Sequence, residues 1–400
     1  MKRIYLDYAS ITPLDDRVLK SMRPYLQEEF ANPSSIYTEG VKTKKAIESA
    51  RQKIASSLAA HSDEIIFTSG GTEANNLALL GIFEAAKRNS KFKNGKPHVV
   101  TTNIEHPSIL EVCAEIEKRG GEVTYVKVEQ SGIVDPKEIQ KSLKKNTVLV
   151  SVMYANNEIG TIAPIREIAK TIRHFKKTNN SSTKIRKNDT YPYFHTDASQ
   201  VAAYLDLNVE RLGVDFMTID GSKIYGPRAA GFLFSRRHKL LEPIIFGGGH
   251  ESGRRSGTEN PAAIVGLATA LELTEKEKTA ENKRLLKLRE YFIDKVLKNF
   301  PQSTLNGDRQ NRLPNNINIC FPNLDAELAV LRFDAKGVAI SSVTSCRNIA
   351  EDSSSYVIEA IGKEDCAKSS LRISLGRLST KAEIDKCLAV LYNVVNGGTD

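Results

Sequence analysis

The sequence predicts an α/β protein with a mainly parallel β-sheet, covered by helices on both faces, and a second, smaller α+β domain. Between residues 64 and 234, short β-rich runs alternate with amphipathic helical patterns, which is typical of parallel sheets. Polar clusters follow several of these runs, at the strand ends where such sheets bind ligands. After Gly257 the alternation stops and a long helical pattern begins. These three observations support the expected architecture.

Seven β-rich runs are expected to form the large sheet. Apolar, β-branched and aromatic residues dominate them, at 65–68, 98–102, 122–128, 147–154, 193–197, 216–219 and 231–234. Helical periodicity predicts covering helices at 73–87, 108–119, 137–143 and 165–176. The stretch 176–189, rich in Lys, Asn, Ser and Thr, is expected to be a mobile surface insertion.

The smaller domain is expected to begin after residue 258. A helical pattern rich in Lys, Glu and Leu covers 262–299, two short strands are predicted at 316–320 and 370–374, and a last helix at 381–395. The first N-terminal residues are expected to complete this domain. The predicted division is therefore a large domain at 14–258 and a small domain formed by 1–13 and 259–400.

Composition indicates a soluble, cytoplasmic enzyme. Hydrophobic residues make up 40% of the 400 residues and charged residues 26%. The net charge of +9 is scattered without interleaved aromatic residues, which argues against nucleic-acid binding. No signal peptide or membrane-length apolar run is expected. The five cysteines form no pattern spaced for a metal, so we expect no metal site and reduced thiols.

A lysine and an aspartate follow two of the predicted strands. Lys223 lies in a turn after the run 216–219, and Asp197 ends the run 193–197. A lysine in such a turn could hold an aldehyde cofactor as a Schiff base, and a neighbouring carboxylate could protonate the cofactor's ring. The alternative is a solvated surface lysine.

Residues 67–76, Phe-Thr-Ser-Gly-Gly-Thr-Glu-Ala-Asn-Asn, lead from a strand into a helix. Gly71 allows close approach of the backbone, the helix start offers free N–H groups, and Thr72 adds a hydroxyl, which together suit a phosphate. A simple helix cap is the alternative. The spacing matches neither a dinucleotide-binding fingerprint nor a P-loop.

Three further motifs occupy strand ends or loops. His106 precedes a predicted helix and could stack over a cofactor ring and move protons, although a structural role is the alternative. Residues 156–160, Asn-Asn-Glu-Ile-Gly, form a polar turn. The glycine-rich segment 247–258 holds two arginines that suit an anion reached across an interface, or else forms a hinge.

Two residues of the predicted small domain are candidates for substrate chemistry. Cys346 lies on a polar loop where substrate could reach its thiol, whereas Cys113, Cys320 and Cys387 lie in apolar patterns typical of a core. Arg372, on a short strand, could bind a carboxylate with two hydrogen bonds.

Taken in order, these motifs resemble those of cysteine desulfurases of the class V aminotransferase superfamily, which use pyridoxal 5′-phosphate (PLP). The likeness covers nearly the whole chain. The matching segments are 5–9, 32–35, 68–73, 105–106, 156–160, 197–200, 222–227, 247–251, 255–258, the segment with Cys346, and 372–377. The resemblance implies the PLP-dependent transferase fold (fold type I), and the cysteine segment is similar to that of the long-loop group, which supplies sulfur for iron–sulfur clusters and tRNA thiolation.

The resemblance also implies residue roles. Lys223 would be the Schiff-base lysine, Cys346 the sulfur-accepting nucleophile, and His106 the residue that stacks on the ring and shuttles protons. The ring would be held by Asp197, Asn157 and Gln200, and the phosphate by Gly71, Thr72, Ser222 and, from a second subunit, Thr258. Arg372 would bind the substrate carboxylate, helped by Asn32. L-cysteine would be converted to alanine.

One turn departs from the family pattern. Residues 220–223 are Asp-Gly-Ser-Lys, where Ser-Gly-His-Lys is usual. Because a carboxylate would repel the phosphate that the serine often holds, we expect Asp220 to point away, towards an arginine.

The resemblance implies a homodimer and a protein sulfur acceptor. From the charge distribution and the short apolar runs, we expect no direct contact to nucleic acid or membrane. A selenocysteine lyase, another class V PLP enzyme, and a weakly active sulfur-relay or scaffold partner remain alternatives.

Overall fold

The structure, a computed structural model, describes residues 3–88, 96–179, 190–342 and 354–396. The expected insertion at 176–189 therefore lies mostly outside the described residues, as does Cys346.

A seven-stranded sheet forms the centre of the molecule, in the spatial order β2-β8-β7-β6-β5-β3-β4. Its strands are β2 Ile65–Thr68, β3 His98–Thr102, β4 Glu122–Val126, β5 Thr147–Ser151, β6 Tyr193–Asp197, β7 Phe216–Asp220 and β8 Gly231–Ser235. β8 runs antiparallel to its neighbours β2 and β7, and the other six strands of this sheet run in one direction. The predicted mainly parallel sheet is confirmed, although β4 and β5 end earlier than expected.

Helices cover both faces of this sheet because its strands are apolar on both sides. Every residue of β5 is buried. The covering helices are α3 Gly71–Arg88, α4 Pro107–Lys118, α5 Pro136–Ser142, α6 Ile165–Asn179 and α7 Val209–Leu212. α6 shows the pattern behind the packing, since it buries Ile165, Ile168, Ala169 and Ile172 at helical spacing. Most of its basic residues are exposed.

A 39-residue helix, α8 Pro261–Asn299, follows the sheet. It begins where Asn260 accepts a hydrogen bond from the backbone N–H of Ala263 and where Pro261 fits the first turn. Helices α1 Asp16–Gln27 and α2 Thr38–Leu58 pack against it. We predicted α8 but neither α1 nor α2.

The C-terminal part builds two small sheets. β9 Thr304–Leu305, β10 Asn316–Cys320 and β12 Ser370–Ser374 form one antiparallel sheet, while β1 Ile4–Tyr5 pairs in parallel with β11 Val338–Ala339. The remaining helices are α9 Ala326–Ala335, α10 Tyr356–Ala360 and α11 Lys381–Val395. The N-terminal strand thus joins the C-terminal part, while the division into 14–258 and 1–13 plus 259–400 stays a prediction.

A disulfide joins Cys320, buried on β10, to Cys366 beyond α10. The expectation that the thiols are reduced is therefore wrong for this pair. Cys113 and Cys387 are free and buried, in agreement with the core role expected for them.

Among the described helices, none is both long enough and apolar enough to cross a bilayer. Within the same residues, no group of three or more His, Cys, Asp or Glu side chains could hold a metal ion.

Candidate active site

The residues that follow β2, β3, β5, β6 and β7 line one cavity of about 460 Å³. Parallel strands end at the same edge of a sheet, so segments far apart in the chain meet there. Residues of the N-terminal segment and of β12 close the cavity from the other side. Eight of the predicted site residues line it: Gly71, Thr72, His106, Asn157, Asp197, Gln200, Lys223 and Arg372.

Lys223 is held by a single helical turn, Gly221–Lys223, directly after β7. This turn has no room for a side chain at Gly221, since a Cβ there would lie only 2.8 Å from the carbonyl oxygen of Ala230. The Lys223 amine reaches into the cavity and donates to the backbone oxygen of Ser10. The lysine is therefore an oriented cavity group and not a solvated surface residue.

Asp197 ends β6 with both carboxylate oxygens bound. Oδ1 accepts a hydrogen bond from the backbone N–H of Ser199 (2.9 Å), and Oδ2 accepts one from Asn75 Nδ2 (2.7 Å). These bonds fix the direction of the carboxylate within the cavity. We did not predict Asn75, although it lies one helical turn after Gly71 and so faces the same way.

The ring of His106 is fixed at the start of α4. Its Nδ1 accepts the backbone N–H of Ser108 (3.1 Å) and lies 2.8 Å from the Ser108 hydroxyl. Asn75 Nδ2 donates in turn to that hydroxyl (2.8 Å). Burial lowers the pKa of His106. A neutral ring whose Nδ1 accepts a hydrogen bond carries its proton on Nε2.

Glu105, next to His106, is fully buried and joins two strand ends. Its Oε1 accepts hydrogen bonds from the Thr102 hydroxyl (2.7 Å) and the Met153 backbone N–H (2.9 Å). Burial is the main cause that raises its pKa to about 8. The Tyr356 hydroxyl of α10 donates to the Glu105 backbone oxygen (2.6 Å), which ties α10 to the residue next to His106.

Arg372 is 3% exposed and enters the cavity from β12. Its guanidinium donates to the Asn157 backbone oxygen (3.1 Å), Asp7 Oδ1 (2.9 Å) and the Ser10 hydroxyl (2.7 Å). This orients a cation on the side of the cavity opposite the sheet. Asp7 and Ser10 were not predicted as site residues, although residues 5–9 belong to the matched motifs.

Comparison with known proteins agrees with this geometry. The sequence model of the family Aminotransferase class-V matches residues 4–387. The chain belongs to this family.

Relatives within the class-V family carry a more specific name. "Cysteine desulfurase IscS" of Dictyoglomus turgidum is 43% identical over 397 residues, 99% of this chain and 95% of its own. The protein of the same name from Methanosarcina thermophila is 39% identical over 98% of this chain and 92% of its own. A solved NifS-like protein aligns with a TM-score of 0.86 at 31% identity, covering 98% of each chain. The predicted family and fold are confirmed.

Class V enzymes of the desulfurase type use PLP, and several buried polar atoms of the cavity fit such a ligand. Asn157 Oδ1, Ser199 Oγ and Arg372 Nε are buried without a hydrogen-bond partner among the described residues. Unpaired buried polar atoms are destabilising unless a ligand or water satisfies them. Together with Lys223 and Asp197, they match an aldehyde, a ring and an anionic group.

Asp220 is the exception to this fit, and our expectation for it is wrong. Its Oδ2 accepts the backbone N–H of Gly71 (2.9 Å), the first residue of α3, so the carboxylate points into the expected phosphate site. Its Oδ1 accepts the backbone N–H (2.8 Å) and the hydroxyl (2.6 Å) of Ser222. None of these donors is an arginine. Through the bond from Gly71, a side chain of the same protein satisfies a backbone N–H at the start of α3.

Three other predicted residues do not line the cavity. The Ser222 hydroxyl donates to Asp220, and its predicted contact with a phosphate stays a prediction. Asn32 is exposed and caps the Ser34 backbone N–H (2.9 Å). Thr258 is exposed, and its predicted role in a second subunit stays a prediction.

The arginines of the glycine-rich segment are engaged within the chain. Arg255 Nε donates to Glu73 Oε1 (2.8 Å), and Arg254 donates to the Asp63 backbone oxygen (2.8 Å). Glu251 of the same segment pairs with buried Arg51 through two hydrogen bonds of 2.7 and 2.9 Å. These bonds favour the structural alternative for this segment.

Proposed function

We infer that this protein is a PLP-dependent cysteine desulfurase, which converts L-cysteine to L-alanine and moves the sulfur to Cys346. The observation that supports this best is the meeting of Lys223, Asp197, His106 and Arg372 in one cavity. A lysine for an aldehyde, a carboxylate for a ring nitrogen, a neutral imidazole and a carboxylate-binding arginine are the groups that this reaction needs.

The cofactor site combines Lys223 as the covalent anchor with Asp197, His106, Asn157 and Gln200 around the ring. When bound, PLP withdraws electrons from the α-carbon of an amino acid. Thr72, in the first turn of α3, and Ser199, whose hydroxyl is unpaired among the described residues, offer donors for the phosphate, whereas the N–H of Gly71 is bound by Asp220.

Arg372 binds and orients the substrate carboxylate. Its Nε points to no other group among the described residues, and its remaining nitrogens are anchored by Asp7 and Asn157. A guanidinium held in this way presents a fixed direction to an incoming carboxylate. The orientation of the bound carboxylate would in turn fix where the side chain of the substrate lies with respect to His106 and Lys223.

His106 and Lys223 move protons in the cavity. Because Nδ1 of His106 accepts from Ser108, the exchangeable proton lies on Nε2. Burial lowers the pKa of the imidazole and so favours its neutral form, in which the ring has one proton to give and one nitrogen to accept. The Lys223 amine, which also lines the cavity, would be the second proton carrier.

The sulfur step transfers one atom between thiols. The Cys346 thiolate attacks the sulfur of L-cysteine, a new S–S bond forms, and the Cβ–S bond breaks. Its electron pair stays with Cβ, which then takes a proton. L-cysteine and the enzyme thiol thus give L-alanine and a persulfide on Cys346.

The described residues on both sides of the Cys346 segment support its approach to the cavity. Ser341, just before it, exchanges two backbone hydrogen bonds with Arg372 (3.1 and 2.8 Å). Ser355, just after it, donates its hydroxyl to the carboxylate of buried Glu158, and the next residue, Tyr356, reaches Glu105. One end of the segment is therefore joined to a residue that lines the cavity, and the other end to direct chain neighbours of the lining residues Asn157 and His106.

The assembly we propose is a homodimer in the cytoplasm that passes sulfur to an acceptor protein, for iron–sulfur cluster assembly or tRNA thiolation. In such a dimer Thr258 of one subunit would complete the phosphate site of the other. The exposed apolar side chains of Phe30, Ile36 and Phe246, which are 75%, 97% and 76% exposed in the single chain, are consistent with an interface.

The test is alanine formation from L-cysteine by the PLP-loaded protein, followed by mass spectrometry of its peptides. We expect one extra sulfur on the peptide that holds Cys346, and loss of alanine formation in Cys346→Ala. The peptides with buried Cys113 and Cys387 serve as controls in the same digest. Alanine formation without any label on the Cys346 peptide would contradict the proposal.

A further inference from the structure

Asp220 occupies the place where the cofactor phosphate would bind. Its Oδ2 accepts the N–H of Gly71 at the first turn of the 18-residue helix α3. A Cβ built on Gly70 or Gly71 would lie 3.3 or 3.2 Å from this same oxygen, so the carboxylate fills the space above both glycines. The chain thus carries its own anion at the helix start.

The surrounding groups mark this place as an anion site. Ser199 Oγ lines the cavity, is buried without a partner among the described residues, and lies 3.2 Å from the Cβ position of Gly71. The Thr72 residue follows on the same helical turn. Because two anions cannot share one backbone N–H, a phosphate bound here must displace the Asp220 carboxylate from Gly71.

We propose that Asp220 determines cofactor specificity by competing with the 5′-phosphate, so that this site gains little affinity from the phosphate of PLP. This rests on the proposed function, since it takes PLP as the ligand of the cavity. This competition acts at Gly71 and Ser222, where the Asp220 carboxylate accepts its hydrogen bonds, whereas the aldehyde and ring nitrogen of the cofactor would be held by Lys223 and by Asp197 at the end of β6. Unphosphorylated pyridoxal should therefore bind nearly as well as PLP.

The energetic reason is like-charge repulsion added to the loss of a donor. A carboxylate and a phosphate within about 4 Å repel each other strongly at the effective dielectric of a protein site. When the Asp220 side chain moves away from Gly71, its carboxylate can also lose both hydrogen bonds from Ser222. Alternatively, the carboxylate rotates about the Cβ–Cγ bond and keeps the Ser222 contacts. Either movement weakens phosphate binding and leaves the ring contacts unchanged.

The experiment measures equilibrium dissociation constants of cofactor-free protein for PLP and for pyridoxal, by absorbance titration. In the native protein we expect PLP to bind less than about tenfold more tightly than pyridoxal. In Asp220→Asn and Asp220→Ser, the constant for PLP should fall about tenfold or more, while that for pyridoxal changes less than about twofold. A merely structural role would move both constants together.

Asp206→Asn is the matched control. Asp206 accepts a backbone N–H two residues on, from Asn208 (3.1 Å), as Asp220 does from Ser222, but it lies outside the cavity. Its removal changes the net charge equally and should leave the ratio of the two constants unchanged.

If the variants do not fold, the ratio of the two dissociation constants in the native protein is sufficient to test the proposal. Selective binding of PLP by the native protein, more than about tenfold over pyridoxal, would overturn it, and so would an unchanged ratio in both folded variants. Failure of the proposed function would look different. In that case, neither ligand would label Lys223 on borohydride reduction, in the native protein or in any variant.

Discussion

The burial of Glu105 leads to a prediction about stability and pH. The change is Glu105→Gln, whose neutral amide has the shape of the protonated acid and can accept the same bonds from Thr102 and Met153. The pKa of Glu105 is raised from 4.5 to about 8, so between these values the folded protein binds a proton that the unfolded chain has released. Native stability therefore falls as pH rises across this window.

The linkage slope sets the size of the effect. One group contributes at most about 1.4 kcal/mol per pH unit, so the variant should gain roughly 3 kcal/mol relative to the native protein between about pH 5 and about pH 7.5. Chemical unfolding of the cofactor-free protein at several pH values measures this gain. Glu117→Gln, on the exposed side of α4, is the control and should show none. The reasoning would be refuted if the difference in unfolding free energy between Glu105→Gln and the native protein stayed constant across this pH range.

Three further predictions concern other parts of the molecule. Arg372→Lys should raise KM for L-cysteine about tenfold or more without changing the cofactor spectrum, because a lysine cannot reproduce the guanidinium contacts, and steady-state kinetics test this. Cys366→Ser, which removes the bridge across 46 residues to Cys320, should lower the unfolding free energy by about 2–4 kcal/mol in denaturant, and an unchanged midpoint would count against the bridge. Gly160→Ala should destabilise by about 2 kcal/mol more than Gly120→Ala, since both have positive φ but only the Cβ on Gly160 would meet a side chain, at 2.5 Å; equal melting temperatures would exclude this.

The large sheet could be predicted because its strands are short apolar runs separated by helical periodicity. Most of the cavity residues followed from one rule, that polar groups after parallel strands meet at one edge. The resemblance to a known family supplied the roles. No local property of Asn157 or Gln200 in the sequence would have indicated that these two residues contact the cofactor ring.

Other features depend on residues far apart in the chain. We missed α2 because its buried face includes Gly40, Thr43 and Arg51, which weaken the apolar period. Arg51 is buried only because Glu251, 200 residues away, pairs with it. The disulfide of Cys320 has the same kind of cause, a partner 46 residues along the chain.

The prediction for Asp220 failed for a related reason. We considered its repulsion from a phosphate and not the bonds available to it inside the chain. The N–H of Gly71, 149 residues away, and the turn at Ser222 offer three donors to the carboxylate. A helix start satisfied in this way is favourable in the cofactor-free chain.

The central claim is that Lys223 forms the covalent link to PLP in the cavity beside Asp197. Borohydride reduction of the protein with excess PLP, followed by peptide mass spectrometry, tests it most directly. The account predicts one pyridoxyl phosphate group on the peptide that contains Lys223, and none after Lys223→Ala. A label on a different lysine, or no label in a folded sample, would contradict it.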